Sequence, residues 1–260
     1  MTTTNVPDVG SRAMRKAMWR LGPFLGLLYL IAYIDRNNAG FAKLEMTQAL
    51  DITESAFGFA AGIFFIGYLI FEVPSNLLLQ RFGARRWIAR IMVSWGIVAV
   101  LTAFVTDATQ FAIARFVLGV AEAGFFPGVL LYITFWFPQQ YRTTVLAIFA
   151  VSNPLANAVS APISGWIMDL HGMWGLEGWQ LVFVLEGIPA VLLAFVLLRA
   201  LPDGIEDARW LSASARRALR EGLGDGRGRP VSWRTALRDP QSVLMGLQYL
   251  LIMTSSYALV

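Results

Sequence analysis

Apolar positions along this chain gather into long blocks separated by short polar breaks. A helix needs about 20 mostly apolar residues to cross the hydrocarbon core of a bilayer. Six blocks meet or approach that length: Leu21–Phe41, Ala56–Leu79, Trp87–Val105, Phe111–Phe135, Val145–Ile167 and Leu181–Leu198. A seventh begins near Val243 and is cut by the last residue, Val260. The pattern predicts an all-α membrane protein, a six-helix bundle followed by part of a seventh helix.

The basic residues orient these spans. Arg12, Arg15, Lys16 and Arg20 precede the first span, Arg81, Arg85, Arg86 and Arg90 join the second to the third, and Arg142 joins the fourth to the fifth. Nine more arginines, from Arg199 to Arg238, follow the sixth. Of the 21 Lys and Arg residues, only Lys43 falls on the opposite side, and Arg36 and Arg115 lie within spans. Because Lys and Arg stay on the cytoplasmic side, the N-terminus and the even-numbered connections are predicted to be cytoplasmic. The organisation expected is a cytoplasmic segment over 1–20, the transmembrane bundle over 21–200, a cytoplasmic linker over 201–240 and the start of helix 7 over 241–260. Within the linker, DARWLSASARRALREGL reads either as an amphipathic helix on the inner leaflet or as a solvated stretch with some helix.

Composition narrows the chemistry. The chain is 57% hydrophobic and 15% charged, with a mean hydropathy of +0.58, whereas a soluble chain carries about 25% charged residues. The pI near 9.7 follows from the inner-side arginines and does not point to nucleic acid. With no Cys, disulfides, thiolate zinc sites and cysteine nucleophiles are excluded. The single His171 sits beside Gly172 in a polar break, so no HExxH-type cluster exists. Neither metal nor cofactor is expected. No His or Cys lies in any span, which argues against an intramembrane enzyme. The first twenty residues lack the apolar run and small-residue cleavage site of a signal peptide. The location implied is the inner (plasma) membrane, crossed several times, with the lipid bilayer as a partner.

Against this apolar background, Asp35, Arg36, Arg115 and Glu122 lie inside predicted spans. A charge at the bilayer centre costs at least about 2.5–3.5 kcal/mol, so these four should face an internal cavity. From the rise of a helix, Asp35 and Arg36 lie roughly 21 Å above Leu21, and Arg115 roughly 6–9 Å below the outer face. Glu122 follows Arg115 on the same face, about 10 Å deeper. Two guanidiniums near one acid, with a second acid beneath, would make a cationic pocket over a carboxylate. Arginine stays protonated and grips a carboxylate with two parallel hydrogen bonds. A buried carboxyl is pulled both ways, burial favouring the neutral form and a neighbouring guanidinium the charged one. Acids held in that balance exchange protons near neutral pH, which is the property expected of Asp35 and Glu122. The competing reading is a set of static salt bridges between helices 1 and 4.

Other polar positions fit around that site. Tyr29, Tyr33 and Arg36 share one face of helix 1, and Tyr68 in helix 2 is a similar aromatic. Asn153, Asn157, Ser160 and Ser164 form a polar stripe in helix 5, the two amides lining the cavity and the two serines packing closely with Gly165. Glu72 reads as a helix-end or gate contact, and Glu186 as a structural partner. Ala39-Gly40-Phe41-Ala42, at the expected end of helix 1, is echoed by Ala123-Gly124-Phe125-Phe126 in helix 4, as inverted three-helix repeats would produce.

Four stretches carry a family resemblance: YIDRNNAGFA, FEVPSNLLLQRFGARRWIAR, RFVLGVAEAGFFPG and SGWIMDLHGMWGLEGWQLVFVLEGIPA. In these the chain resembles the major facilitator superfamily, and within it the anion:cation symporter family, from about Leu21 to Leu201. Bacterial members of that family are carriers of tartrate, phthalate, galactonate, nicotinate and related carboxylates. The resemblance implies proton-coupled symport of a small organic anion by alternating access. Arg36 and Arg115 would bind the substrate carboxylate, Asp35 and Glu122 would carry coupling protons, and Tyr33 and Tyr68 would contact substrate. It also implies an inner gate at Gln80, Arg81, Gly83 and Arg85. Here Gln80 replaces the usual acid and Asn76 the usual glycine, so the latch should be weaker or differently partnered. The family fold has two six-helix bundles, so the second would be a missing C-terminal partner. The sequence then reads as a fragment of a longer protein or the product of a truncated gene. An inactive remnant or a structural membrane protein is the alternative function.

Overall fold

The computed structural model describes residues 6–223 and, beyond them, 239–241, 244 and 248. The chain divides after Gly222 into two compact units. The linker from 224 to 238 and, apart from 241, 244 and 248, the expected start of helix 7 lie outside the described residues.

Helices are the regular structure of the described residues, which contain no strand. α1 (Val6–Ala49) contains the first predicted span, α2 (Glu54–Phe82) the second and α3 (Ala84–Thr102) the third. The fourth is split into α4 (Ala108–Glu122) and α5 (Phe125–Trp136), and the fifth into α6 (Gln139–Ala150) and α7 (Ser152–Met168). α8 (Gly178–Ala200) is the sixth, and α9 (Ala213–Leu223) lies in the linker. Five of these continuous or broken rods are long and apolar enough to cross a membrane. α3 falls outside that group because Arg85, Arg86 and Arg90 crowd its start. It is nevertheless packed along α8, as α2 is along α4 and α1 along both α7 and α8.

Local chemistry sets the ends. Thr53 caps α2 by accepting from the Ala56 N–H at 3.2 Å, and Asp107 caps α4 through Thr109 and Gln110 at 2.8 and 2.9 Å. At one end of the bundle, Glu45 accepts the Trp179 backbone N–H at 2.6 Å, tying α1 to α8. At the other end, the Tyr132 hydroxyl donates to the Pro202 carbonyl at 2.8 Å. Between these ties lies a packed core containing Trp95, Trp136, Trp179 and Phe183.

Three differences from the sequence pattern matter for the site. First, α1 does not end at the Ala39–Ala42 stretch but runs on to Ala49. Second, the fourth span breaks immediately after Glu122. Gly124 adopts φ +87°, a left-handed conformation open to glycine, and a side chain there would run into Ser75. Third, the fifth span is interrupted at Val151, just before Pro154, whose ring removes a backbone donor from the ladder.

Candidate functional site at the meeting of four helices

α1 and α4 are brought together around one ion pair. The Arg36 Nη2 donates to Glu122 Oε2 at 2.6 Å, with Glu122 buried and Arg36 20% exposed. Glu122 is the last residue of α4, so the guanidinium sits at the negative end of that helix dipole, a favourable placement for a cation. Phe64 of α2 is a shared wall: the Arg36 guanidinium lies 5.6 Å from its ring centroid and that of Arg115 lies 4.8 Å from it. Tyr33 and Tyr68 complete the aromatic surround of Arg36, at 5.7 and 5.5 Å. Such contacts are each worth about 0.5–1 kcal/mol when exposed and more when desolvated. Below them, Tyr29 stacks on Phe149 with centroids 4.2 Å apart and meets Tyr33 edge-on at 4.8 Å.

Arg115 is buried, and its Nε and Nη1 have no hydrogen-bond partner among the described residues. Two donors of a fixed fork are therefore held out of water without an acceptor. Asp35 is also buried, and its side-chain hydrogen bond lies within α1: Asn38 donates to Oδ1 at 3.1 Å, and Oδ2 has no hydrogen-bond partner among the described residues. The acid engaged by Arg36 is thus Glu122 rather than Asp35, its neighbour in sequence. Successive side chains point about 100° apart around a helix, which separates adjacent residues that a linear motif groups together.

The helix 5 amides join the site from the other side. Asn37 donates to Asn157 at 3.0 Å, and Asn157 donates to Asn153 at 3.1 Å. Asn37 has no counterpart in the sequence reading, although it adjoins Arg36. Glu72 lies one turn beyond Tyr68 and within electrostatic reach of Arg36, closer to the site than a helix-end role requires. Ser160 and Ser164 are buried, the first donating to the Ala156 carbonyl at 2.6 Å and the second to Glu186 at 2.7 Å. Gly165 does not pack as expected: it is exposed, with nothing near the position of a side chain.

The positions expected to form an inner gate separate into two kinds. Gln80 and Arg81 are exposed. Gly83 adopts φ +87° between α2 and α3, and the Arg85 backbone N–H donates to Asp203 at 3.3 Å. The Arg85 side chain donates to the Leu198 carbonyl and lies 3.9 Å from Asp203. The acid at the start of α3 therefore comes from the segment after α8, where Gln80 supplies none.

Residues 25–260 match the pattern of the Major Facilitator Superfamily. The chain belongs to the Major Facilitator Superfamily. Its relatives include the protein named "Putative tartrate transporter" of Agrobacterium vitis, 52% identical over 80% of this chain and 46% of its own length. They also include the quinolone resistance transporter of Acinetobacter baumannii, 45% identical over 81% of this chain and 48% of its own. The inner membrane transport protein RhmT of Escherichia coli is 39% identical over 76% and 46%. The chain thus spans about half the length of the curated relatives it matches. Among solved structures, a bacterial homologue of the human lysosomal transporter Spinster superposes with a TM-score of 0.66 at 20% identity, over 70% of this chain and 44% of that one. The proton:xylose symporter XylE gives 0.63 at 20% identity, over 82% and 50%. These likenesses establish the fold of a Major Facilitator bundle and, with the apolar helices, a multi-pass membrane protein.

Proposed function

We propose that this chain forms the first half of a secondary active transporter that moves a small organic carboxylate together with protons by alternating access. The observation that carries this reading is the Arg36–Glu122 ion pair at 2.6 Å, with the buried Arg115 beside it on the same ring. A substrate carboxylate and the Glu122 carboxylate are rivals for one guanidinium. Protonation of Glu122 ends its claim on Arg36, and an incoming carboxylate then takes the fork, with Arg115 as the second donor. Substrate binding and proton loading thereby favour each other. Asp35 is the second proton carrier, Tyr33 and Tyr68 flank the anion, and Asn153 and Asn157 read its polar substituents. Gln80, Arg81, Gly83 and Arg85 form the inner gate, on the cytoplasmic side of the inner (plasma) membrane with the N-terminus.

The relatives' names favour a tartrate-like anion. A second bundle completes the cavity against α2 and α7, whose outward apolar residues include Phe59, Ile66, Leu69, Leu155 and Trp166. The test is equilibrium binding of labelled tartrate across pH to the complete two-bundle transporter. Wild-type affinity should rise as pH falls, whereas Glu122→Gln should bind with little dependence on pH. A Glu122→Gln protein with the wild-type pH profile would remove Glu122 from the coupling.

A further inference from the structure

Glu186 of α8 is buried in the bundle and takes no part in the arginine site. Its Oε1 accepts from the Ser164 hydroxyl at 2.7 Å, and its Oε2 has no partner among the described residues. Asp35 repeats that arrangement across the α1–α8 contact, with Asn38 on Oδ1 and no hydrogen-bond partner for Oδ2 among the described residues. The bond between Glu45 and the Trp179 backbone fixes the register of the two helices. Counting down α1 from Glu45 to Asp35, and down α8 from Trp179 to Glu186, leaves the two acids about 5 Å apart in depth. They lie within electrostatic reach of one another. The other charged groups facing Asp35 are Glu122 and Arg115 of α4 and the adjoining Arg36. Glu186 faces Ser164 of α7 and Asp35.

Two carboxylates that share apolar surroundings repel one another when both are charged, so a proton on either relieves the pair. We propose that Glu186 is a third proton-exchanging carboxyl, paired with Asp35, so that one proton passes between α1 and α8 during the transport cycle. In that step the O–H bond at Asp35 breaks and one forms at Glu186. Negative charge moves from α8 to α1, beside Arg36 and Arg115, while Ser164 keeps its hydrogen bond to Oε1. The assignment rests on the proton-coupled reading above, in which only Asp35 and Glu122 carry protons.

Glu186→Gln preserves an acceptor for Ser164 and removes the titrating group. In proteoliposomes holding the complete transporter, the ratio of pH-driven labelled-tartrate accumulation to tartrate counterflow should fall about tenfold or more, as expected when a proton-transfer group is lost. Its pH profile should also flatten on the acid side. A purely structural Glu186 would leave both at wild type, because the Ser164 bond survives; that result would overturn the proposal. If Asp35→Asn and Glu122→Gln lose coupling while Glu186→Gln retains it, Glu186 alone is refuted. If all three retain it, the proton-coupled reading itself falls. The wild-type protein gives a second readout that needs no substitution. Dicyclohexylcarbodiimide, which modifies protonated carboxyls in apolar sites, should label Glu186 at acid pH and progressively less at alkaline pH. Labelling that is absent at acid pH, or that ignores pH, contradicts the exchange.

Discussion

At the scale of the residue, two arginines share one phenyl ring and differ in their partners. Arg36 is held by Glu122 at 2.6 Å, while two donors of Arg115 are unmatched among the described residues. An anion arriving there gains donors that cost free energy while empty, since a buried polar group without a partner is penalised by about 1–3 kcal/mol. Lysine in place of either arginine retains the charge and loses the planar fork. Arg36→Lys and Arg115→Lys should each forfeit one charge-assisted hydrogen bond, worth about 1.5–3 kcal/mol. That corresponds to a Kd for labelled tartrate weaker by about ten- to hundredfold. Scintillation proximity binding on the purified complete transporter checks it, and unchanged affinity in both variants would exclude the fork as the recognition element.

At the scale of the element, the site depends on how closely α2 and α4 approach. Gly119 of α4 faces the Phe64 backbone, and a Cβ there would overlap the Phe64 carbonyl oxygen. The same Phe64 carries the ring on which both guanidiniums rest. Gly119→Ala must push the helices apart, at about 1–3 kcal/mol for overpacking. It should lower the melting temperature and also weaken tartrate binding, although residue 119 touches none of the charged groups described. A thermal melt followed by tryptophan fluorescence, paired with the binding assay, tests both effects. A variant with unaltered Tm would mean that the helices separate without cost.

At the scale of the whole molecule, the segment after α8 closes the end of the described unit that carries the α2–α3 junction. Asp203 caps α3 and adjoins Arg85, the Trp210 ring stacks on Trp136 with centroids 6.0 Å apart, and Lys16 donates to the Trp210 carbonyl at 3.0 Å. α9 buries Ala215 and Leu219, and Gly10 of α1 lies opposite Ala218. Its apolar side is therefore turned to the bundle. Asp203→Ala removes a helix cap worth about 0.5–2 kcal/mol and should loosen the start of α3, whereas Asp203→Asn should retain most of the cap. Because the chain has no Cys, a single Cys introduced at Gln80 is a clean probe. Its maleimide labelling should speed up in Asp203→Ala and much less in Asp203→Asn; equal rates in all three backgrounds would show that Asp203 does not restrain the gate.

Much of this was legible in the sequence alone. The length of the apolar blocks determined an all-α membrane protein, because unpaired backbone groups in hydrocarbon leave few alternatives to the helix. The cost of a charge in lipid singled out Asp35, Arg36, Arg115 and Glu122 before any contact was known. Partnership was another matter. That Arg36 reaches Glu122 while Asp35 turns inward depends on how α1 is rotated against α4 and α8, and a pattern of spans contains no rotation. The break after Glu122 depends on a left-handed glycine pressed against Ser75 of another helix. Glu186 read as a structural partner, but that its partner is Ser164 was not visible until a neighbouring helix supplied it. Asp203 was hidden for the same reason, standing far along the chain from the α3 start it caps. Burial is a property of composition and can be read along a chain; pairing across helices is a property of packing, and only the tertiary structure decided it.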